Sequence, residues 1–249
     1  MTNSLTGSTA LVTGGNSGIG RATALVLARR GAHVVLSGRD AERGEKVAAE
    51  IRAEGGTADF AQSNLSDEAS ARQLARQAAE LGGGHVDILV NNAGVFPFGP
   101  THEATEDDFD NVFGVNVKVP FFLVAEVAPA MAERGHGVII NVSTMVAEFG
   151  MADMALYGSS KAALVLLTKS WAAEYGPAGV RVNTVSPGPT RTEGTAGMGE
   201  ALDQLAAAAP SGRPALPEEI ASAIVYLASD EASFVQGALL PVDGGRIAV

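Results

Sequence analysis

Thr13-Gly14-Gly15-Asn16-Ser17-Gly18-Ile19-Gly20 joins two stretches of opposite character. Before it, residues 8–13 form a short β-favouring run. After it, residues 19–30 are rich in Ala, Leu and Arg and read as a helix. A glycine turn at that junction has a specific use. Gly14 takes backbone conformations that other residues resist. Gly18 has no side chain, so a diphosphate can approach the main chain, and Gly20 lets the helix pack closely on the strand. The helix's unpaired N–H groups and its dipole then face the anion. The spacing is Thr-Gly-x3-Gly-x-Gly with no Gly-Lys-Ser/Thr, so the turn is not a P-loop. Tight strand–helix turns need glycine for structural reasons too; the flanking strand and helix are what point to a dinucleotide.

Outward from this turn the pattern alternates. Strand-like runs fall at 8–13, 32–37, 58–62, 86–91, 138–143, 180–186 and 238–242, and helical stretches at 19–30, 41–54, 67–81, 105–133, 155–176 and 217–229. The first six strands read as near-continuous apolar runs, as expected of strands buried on both faces. The alternation predicts an α/β fold: one Rossmann-type, doubly wound, mainly parallel seven-stranded sheet with helices on both faces. Thr105 and Asp108 resemble a capping box. Pro217 suits a first helical position, with Glu218 and Glu219 in the positive first turn. Ile220, Ile224 and Leu227 recur at helical spacing, and Pro241 demotes the last strand to a sheet edge. Residues 188–216 form the one long connection, with a short helix expected near 199–208. A lid is one reading of it and a surface excursion the other.

Composition bounds the answer. The chain has 249 residues, 30 Gly, 11 Pro and no Cys, with 46% hydrophobic and 18% charged residues. That length suits a single α/β domain over 1–249. Without Cys there is no disulfide framework, thiolate metal site or Cys nucleophile. The net charge is 17 − 28 = −11, a field that opposes phosphate backbones, so no nucleic-acid partner is expected. No uninterrupted apolar run reaches membrane length, and residues 1–8 lack a basic and then apolar leader; a cytoplasmic protein without membrane contact is expected. His33, His85, His102 and His136 are scattered without metal-ligand spacing, so no metal is expected.

The second strand ends in Ser37-Gly38-Arg39-Asp40. An acid here would accept from the adenosine ribose, whereas a guanidinium suits a 2′-phosphate. Gly38 stands where the acid would be and Arg39 follows, which favours NADP; Asp40, the expected cap of the next helix, leaves NAD open. Further on, Tyr157 and Lys161 are four residues apart on a predicted helix, about 6 Å of rise on one face. A free phenol titrates near 10, and a nearby ammonium would lower that value, making a plausible acid/base couple. Taken alone, the common Tyr-x3-Lys spacing reads first as an exposed helix-face pair.

The full set of motifs resembles the short-chain dehydrogenase/reductase family over essentially the whole chain. It comprises Thr13-Gly-x3-Gly18-x-Gly20, Asn91-Asn92-Ala93-Gly94, Asn116, Ser143, Tyr157-Gly-Ser-Ser-Lys161, Pro187-Gly188 and Asp243-Gly244-Gly245, in the family's order. The resemblance implies an NAD(P)-dependent enzyme interconverting a secondary alcohol and a ketone. Tyr157 would be the general acid/base and Ser143 would hold the substrate oxygen. Lys161 would lower the Tyr157 pKa and hold the nicotinamide ribose, while Asn116 would anchor a water linking Lys161 to solvent. Gly14, Asn16, Ser17, Gly18, Ile19 and Gly20 would form the phosphate turn. Arg39, Asn64, Leu65, Asn92, Ala93 and Gly94 would line the adenosine side, and Pro187, Gly188, Thr190 and Thr192 the nicotinamide and diphosphate side. Asn64 replaces an Asp common in relatives, Thr190 an aliphatic residue, and Ser17 a residue that is basic in many NADP enzymes of the family. The Tyr-x3-Lys spacing differs from the longer one of enoyl reductase relatives.

Phe96, Phe98, Met145, Phe149, Met151 and Met198 lie where ligands meet an open α/β sheet and are candidate pocket residues, core packing being the other reading. Lys118 is expected to face away from the site and Trp171 to serve core or subunit contact. The lid carries few charges, which suggests a moderately hydrophobic alcohol or carbonyl substrate. The Ala172-Ala173-Glu174 stretch and the acidic charge make docking of an acyl carrier protein less attractive. Relatives are usually homotetramers or homodimers. Two other classes remain: a relative acting as dehydratase, epimerase or imine reductase with the same residues, and a non-enzymatic dinucleotide sensor, for which Ser143, Tyr157 and Lys161 would be superfluous.

Overall fold

The computed structural model describes residues 5–249. Seven strands, β1 (Thr9–Thr13), β2 (His33–Gly38), β3 (Thr57–Gln62), β4 (Ile88–Asn91), β5 (Gly137–Val142), β6 (Val180–Pro187) and β7 (Leu239–Val242), form one sheet. Its order is β3-β2-β1-β4-β5-β6-β7 and every pairing is parallel. The chain starts in the middle, winds outward to β3, returns to β4 and winds out the other way. That reversal opens a crevice at the carboxyl ends of β1 and β4.

Helices α1 (Gly18–Arg29), α2 (Ala41–Ala53) and α8 (Pro217–Ala228) cover one face; α3 (Glu68–Leu81), α5 (Val119–Arg134) and α6 (Ala155–Tyr175) cover the other. The strands alternate between two cores with period two. Ala10, Val12, Val34, Leu36, Ile88, Val90, Val138 and Ile140 enter the first core, and Leu11, Val35, Leu89 and Ile139 the second. Each fully buried branched side chain contributes roughly 1.5–3 kcal/mol. Ile139→Ala, at the sheet centre, would cost about 2–5 kcal/mol through the cavity it leaves.

Three expectations are modified. First, β3 is not buried on both faces: it is the sheet edge, only Ala58 and Ala61 are buried, and Asp59 meets His33 at 2.7 Å. β7 is the opposite edge, as Pro241 requires. Second, the helix expected over 105–133 is α4 (Glu106–Phe113), a π-turn (Gly114–Lys118) and α5, and the π-turn carries Asn116. Third, the combined segment Glu106–Arg134 is long and apolar enough to cross a membrane by length and composition, contrary to the reading of its apolar runs. Half of that window is buried inside the fold, much of it in the core against α3 and α6.

The connection 188–216 holds a short 3-10 helix and α7 (Glu200–Ala206). Its stem is stitched closed: Arg191 N donates to Ala215 O (2.9 Å) and Ala215 N to Pro189 O (2.8 Å). The connection is thereby anchored at its base.

Candidate active site

A cleft of about 560 Å³ lies over the carboxyl ends of the central strands. Its floor is built by the turn after β1. Gly14 has φ +63°, and a Cβ on Gly20 would sit 2.1 Å from the Gly14 carbonyl oxygen, so only glycine permits the turn and helix to meet this closely. Thr13 Oγ1 accepts from the N–H groups of Asn92 and Ala93 (3.0 Å each), and Asn92 Nδ2 donates to Thr13 O (2.9 Å). The ends of β1 and β4 are thereby stapled together. Asn92 lines the cleft as well, with its Nδ2 engaged in that staple.

At one end of the cleft Arg39 is exposed and forms no ion pair among the described residues. Asp40 caps α2, accepting from Arg43 N (3.0 Å). The buried hydroxyls of Ser37 and Ser63, which also line this end, have no hydrogen-bond partner among the described residues. The N-terminus of α1 faces the cleft without a side-chain cap from Ser17 and without an acid in its first turn. Its Gly18 N–H instead donates to the carboxylate of Glu193 in the lid (2.9 Å).

At the other end, Ser143 follows β5, and Tyr157 and Lys161 stand one turn apart on α6. The Ser143 hydroxyl is buried and donates to the Lys161 carbonyl (3.3 Å). The Lys161 ammonium is buried and donates to the Val142 carbonyl (2.8 Å). Burial pulls its pKa down to about 8. Burial also raises the Tyr157 phenol to about 12, opposed by a hydrogen bond with the Thr144 hydroxyl. The expected lowering by Lys161 is not among the influences on Tyr157; loss of water dominates instead. A Cβ on Gly94 would come within 3.2 Å of both Lys161 Nζ and Asn116 Oδ1, so this glycine keeps space open beside the ammonium.

Asn116 does not line the cleft, nor does Gly20; the other predicted site residues do. The Asn116 side chain is fully engaged, accepting from Val95 N (2.9 Å) and donating to Val95 O (2.9 Å) and Ser160 Oγ (3.0 Å). It ties the loop after β4 to α6. Pro120 has no N–H, so it can give the Asn116 carbonyl no α-helical hydrogen bond. Thr190 and Thr192 brace the start of the 188–216 connection: the Thr190 hydroxyl donates to Gly188 O (2.9 Å), and Thr192 forms a capping box with Thr195. Phe96, Phe98, Met145, Met151 and Met198 line the cleft, joined by Met154, Leu202 and Leu205; Phe149 instead packs beneath the Arg246 guanidinium. Trp171 is core and Lys118 is exposed, as expected. The histidines build no metal site among the described residues.

Sequence reasoning missed Thr144, Glu193 and a buried polar chain. In that chain Asn91 Nδ2 donates to Asn141 Oδ1 (2.9 Å), Asn141 Nδ2 to Thr168 Oγ1 (2.7 Å), and Thr184 Oγ1 to Thr168 Oγ1 (2.8 Å). It fixes β4, β5 and β6 to α6 beneath the catalytic turn. The available signal was polar residues at core-facing positions of otherwise apolar strands.

A family model described as "Enoyl-(Acyl carrier protein) reductase" matches residues 14–246. The chain is 42% identical to the cis-4-hydroxycyclohexanecarboxylate dehydrogenase of Sinomonas cyclohexanicum, over 96% of each chain. A solved "short chain dehydrogenase/reductase family protein" is 51% identical, covers 98% of this chain and 99% of its own, and superposes with a TM-score of 0.90. A blue fluorescent protein from a metagenomic library, solved in complex with NADPH, is 36% identical with a TM-score of 0.92, covering 97% of this chain and 98% of its own.

Proposed function

Because the chain belongs to the short-chain dehydrogenase/reductase family, we propose that this cleft binds NADP in preference to NAD and reduces a small-molecule ketone at Tyr157. It is an NAD(P)-dependent oxidoreductase that interconverts secondary alcohols and ketones. The residues present fit the dinucleotide. The glycine floor lets a ligand approach the main chain at the N-terminus of α1, where the Gly18 N–H is held by Glu193, and among the described residues the Ser37 and Ser63 hydroxyls at the adenosine end have no hydrogen-bond partner and Arg39 no ion pair. Gly14, Asn16, Ser17, Gly18 and Ile19 would hold the diphosphate, with Gly20 setting the turn. Arg39 would hold the 2′-phosphate, and Asn64, Leu65, Ala93 and Gly94 the adenosine and its ribose. Pro187, Gly188, Thr190 and Thr192 would flank the nicotinamide. The bound nicotinamide supplies the hydride donor or acceptor.

The protein's own chemistry is proton transfer. Tyr157 gives a proton to the nascent alkoxide and takes it back in oxidation. Ser143 turns its hydroxyl from the Lys161 carbonyl to the substrate oxygen, where negative charge develops. Lys161, with a pKa near 8, resupplies the proton, and Asn116 would anchor a water linking Lys161 to solvent. The observation that carries this reading is the convergence of Ser143, Tyr157 and a buried, proton-labile Lys161 on one end of the cleft. Loss of NADPH absorbance with a ketone panel tests it; bound NADPH with no ketone reduced would refute it.

The proposal extends to a single unit over 1–249 with its lid at 188–216, acting in the cytoplasm as a homotetramer or homodimer without a nucleic-acid or membrane partner. Exposed Phe109, Phe121 and Leu166 on the α4–α6 face, and fully exposed Phe234 near the β7 edge, support subunit contacts there. Light scattering of the purified protein tests the assembly.

A further inference from the structure

Resting on the reductase reading, we infer that the substrate is a neutral, predominantly apolar ketone or secondary alcohol, and that carboxylate-bearing substrates are rejected. Among the described residues, the only charged side chains lining the cleft are Arg39 and Lys161. Arg39 belongs to the adenosine end, and Lys161 is turned to the Val142 carbonyl. The wall beside Tyr157 is made by Phe96, Met145, Met151, Met154, Met198 and Leu205. Met145, Val146 and Met154 form a buried cluster of their own, closed over by Leu205 from the lid and Ile247 from the C-terminal turn.

None of the other nearby cations lines the cleft, and two of them are already paired with carboxylates. Arg191 pairs with Asp203, Arg213 with Glu219, and Arg246 lies over the Phe149 ring at 4.7 Å. A carboxylate in this wall would lose its water and find no partner, the costliest outcome for a buried charge. Methionine-rich walls adapt to different shapes, so discrimination falls on charge more than on outline. The chain thus parts company with its relative named for a cyclohexanecarboxylate substrate.

A matched pair tests this: 4-methylcyclohexanone and 4-oxocyclohexanecarboxylate, assayed for kcat/KM with NADPH and for binding to the protein–NADPH complex. The neutral ketone should be favoured by at least about 100-fold, and Met151→Arg should shift the ratio toward the acid by at least about tenfold. Equal or better use of the acid by the wild type overturns the inference, as does binding of neither compound. Binding of the neutral ketone without turnover upholds the inference and removes the reductase reading instead.

A separate contact carries a second inference, also resting on the dinucleotide reading. The geometry points to Glu193 as an internal anion that occupies the phosphate turn in the free protein and must leave when a diphosphate enters. Its carboxylate accepts from Gly18 N–H at 2.9 Å, from a position 175 residues away. No other acid serves the first turn of α1, and Ser17 offers no cap. Thr192 brings its methyl group over the same glycine, to 3.1 Å from where a Cβ would lie. Lid and diphosphate therefore compete for one donor.

Glu193→Gln should tighten binding of NADPH, read by fluorescence titration, by about fivefold. It should also increase the thermal stabilisation given by inorganic pyrophosphate while lowering the melting temperature of the free protein. Unchanged or weaker binding of both probes would overturn the inference. Pyrophosphate stabilisation without NADPH binding would uphold it and count against the dinucleotide reading.

Discussion

Replacing Lys161 with methionine isolates what the buried ammonium costs the free protein. Burial moves the Lys161 pKa from 10.5 down to about 8. Between those values the unfolded chain holds a proton that the native protein has released. The unfolded state therefore binds more protons, and native stability climbs as pH rises through that window. At about 1.4 kcal/mol per tenfold change in proton affinity, the climb amounts to about 3 kcal/mol. The cost is fully present below pH 8 and is relieved above 10.5. Met keeps most of the side-chain volume and cannot titrate. Urea unfolding of cofactor-free wild type and Lys161→Met across this range should give a stability difference that moves in favour of the wild type by about 3 kcal/mol. The raised Tyr157 pKa works the other way in wild type, lowering stability above about pH 10, but it is common to both proteins and cancels in the difference. A flat or falling difference would refute the burial argument, and with it the view of Lys161 as a proton-labile group near neutral pH.

The other predictions are simpler. Tyr157→Phe should lower turnover by at least about 100-fold, as loss of a general acid requires, and leave the NADPH dissociation constant near that of wild type; near-normal turnover would remove Tyr157 from the mechanism. Arg39→Ala should weaken NADPH by about 2 kcal/mol while leaving NADH almost unaffected, since only the former carries the 2′-phosphate; calorimetric titration with both cofactors decides. Gly20→Ala forces a Cβ toward the Gly14 carbonyl, only 2.1 Å away, and should cost about 1–3 kcal/mol of stability together with a loss of cofactor affinity, read by thermal unfolding with and without NADPH.

Local patterning already contained the architecture. The strand runs end where β1, β2, β4, β5 and β6 end to within a residue or two, because burial on both faces leaves an apolar signature readable over a few neighbours. The Tyr157–Lys161 pair was legible for the same reason: spacing along one helix is a local property. β3 is misread as a buried run although Thr57, Asp59 and Gln62 interrupt it; those polar residues are the edge signal, and the fold places them at the sheet margin.

Folding settled the matters that depend on partners far apart in the chain. The sequence offers Asn92 and Asn116 as site residues, but only the fold shows that Asn92 Nδ2 donates to Thr13 O and that the Asn116 side chain ties Val95 to Ser160. The Lys161 pKa follows from how completely the strands and α6 exclude water around it, and the Glu193 contact from where the lid comes to rest. Periodicity and turn chemistry are written in adjacent residues. Desolvation and long-range hydrogen bonds arise only when distant segments pack, so they belong to the tertiary structure alone.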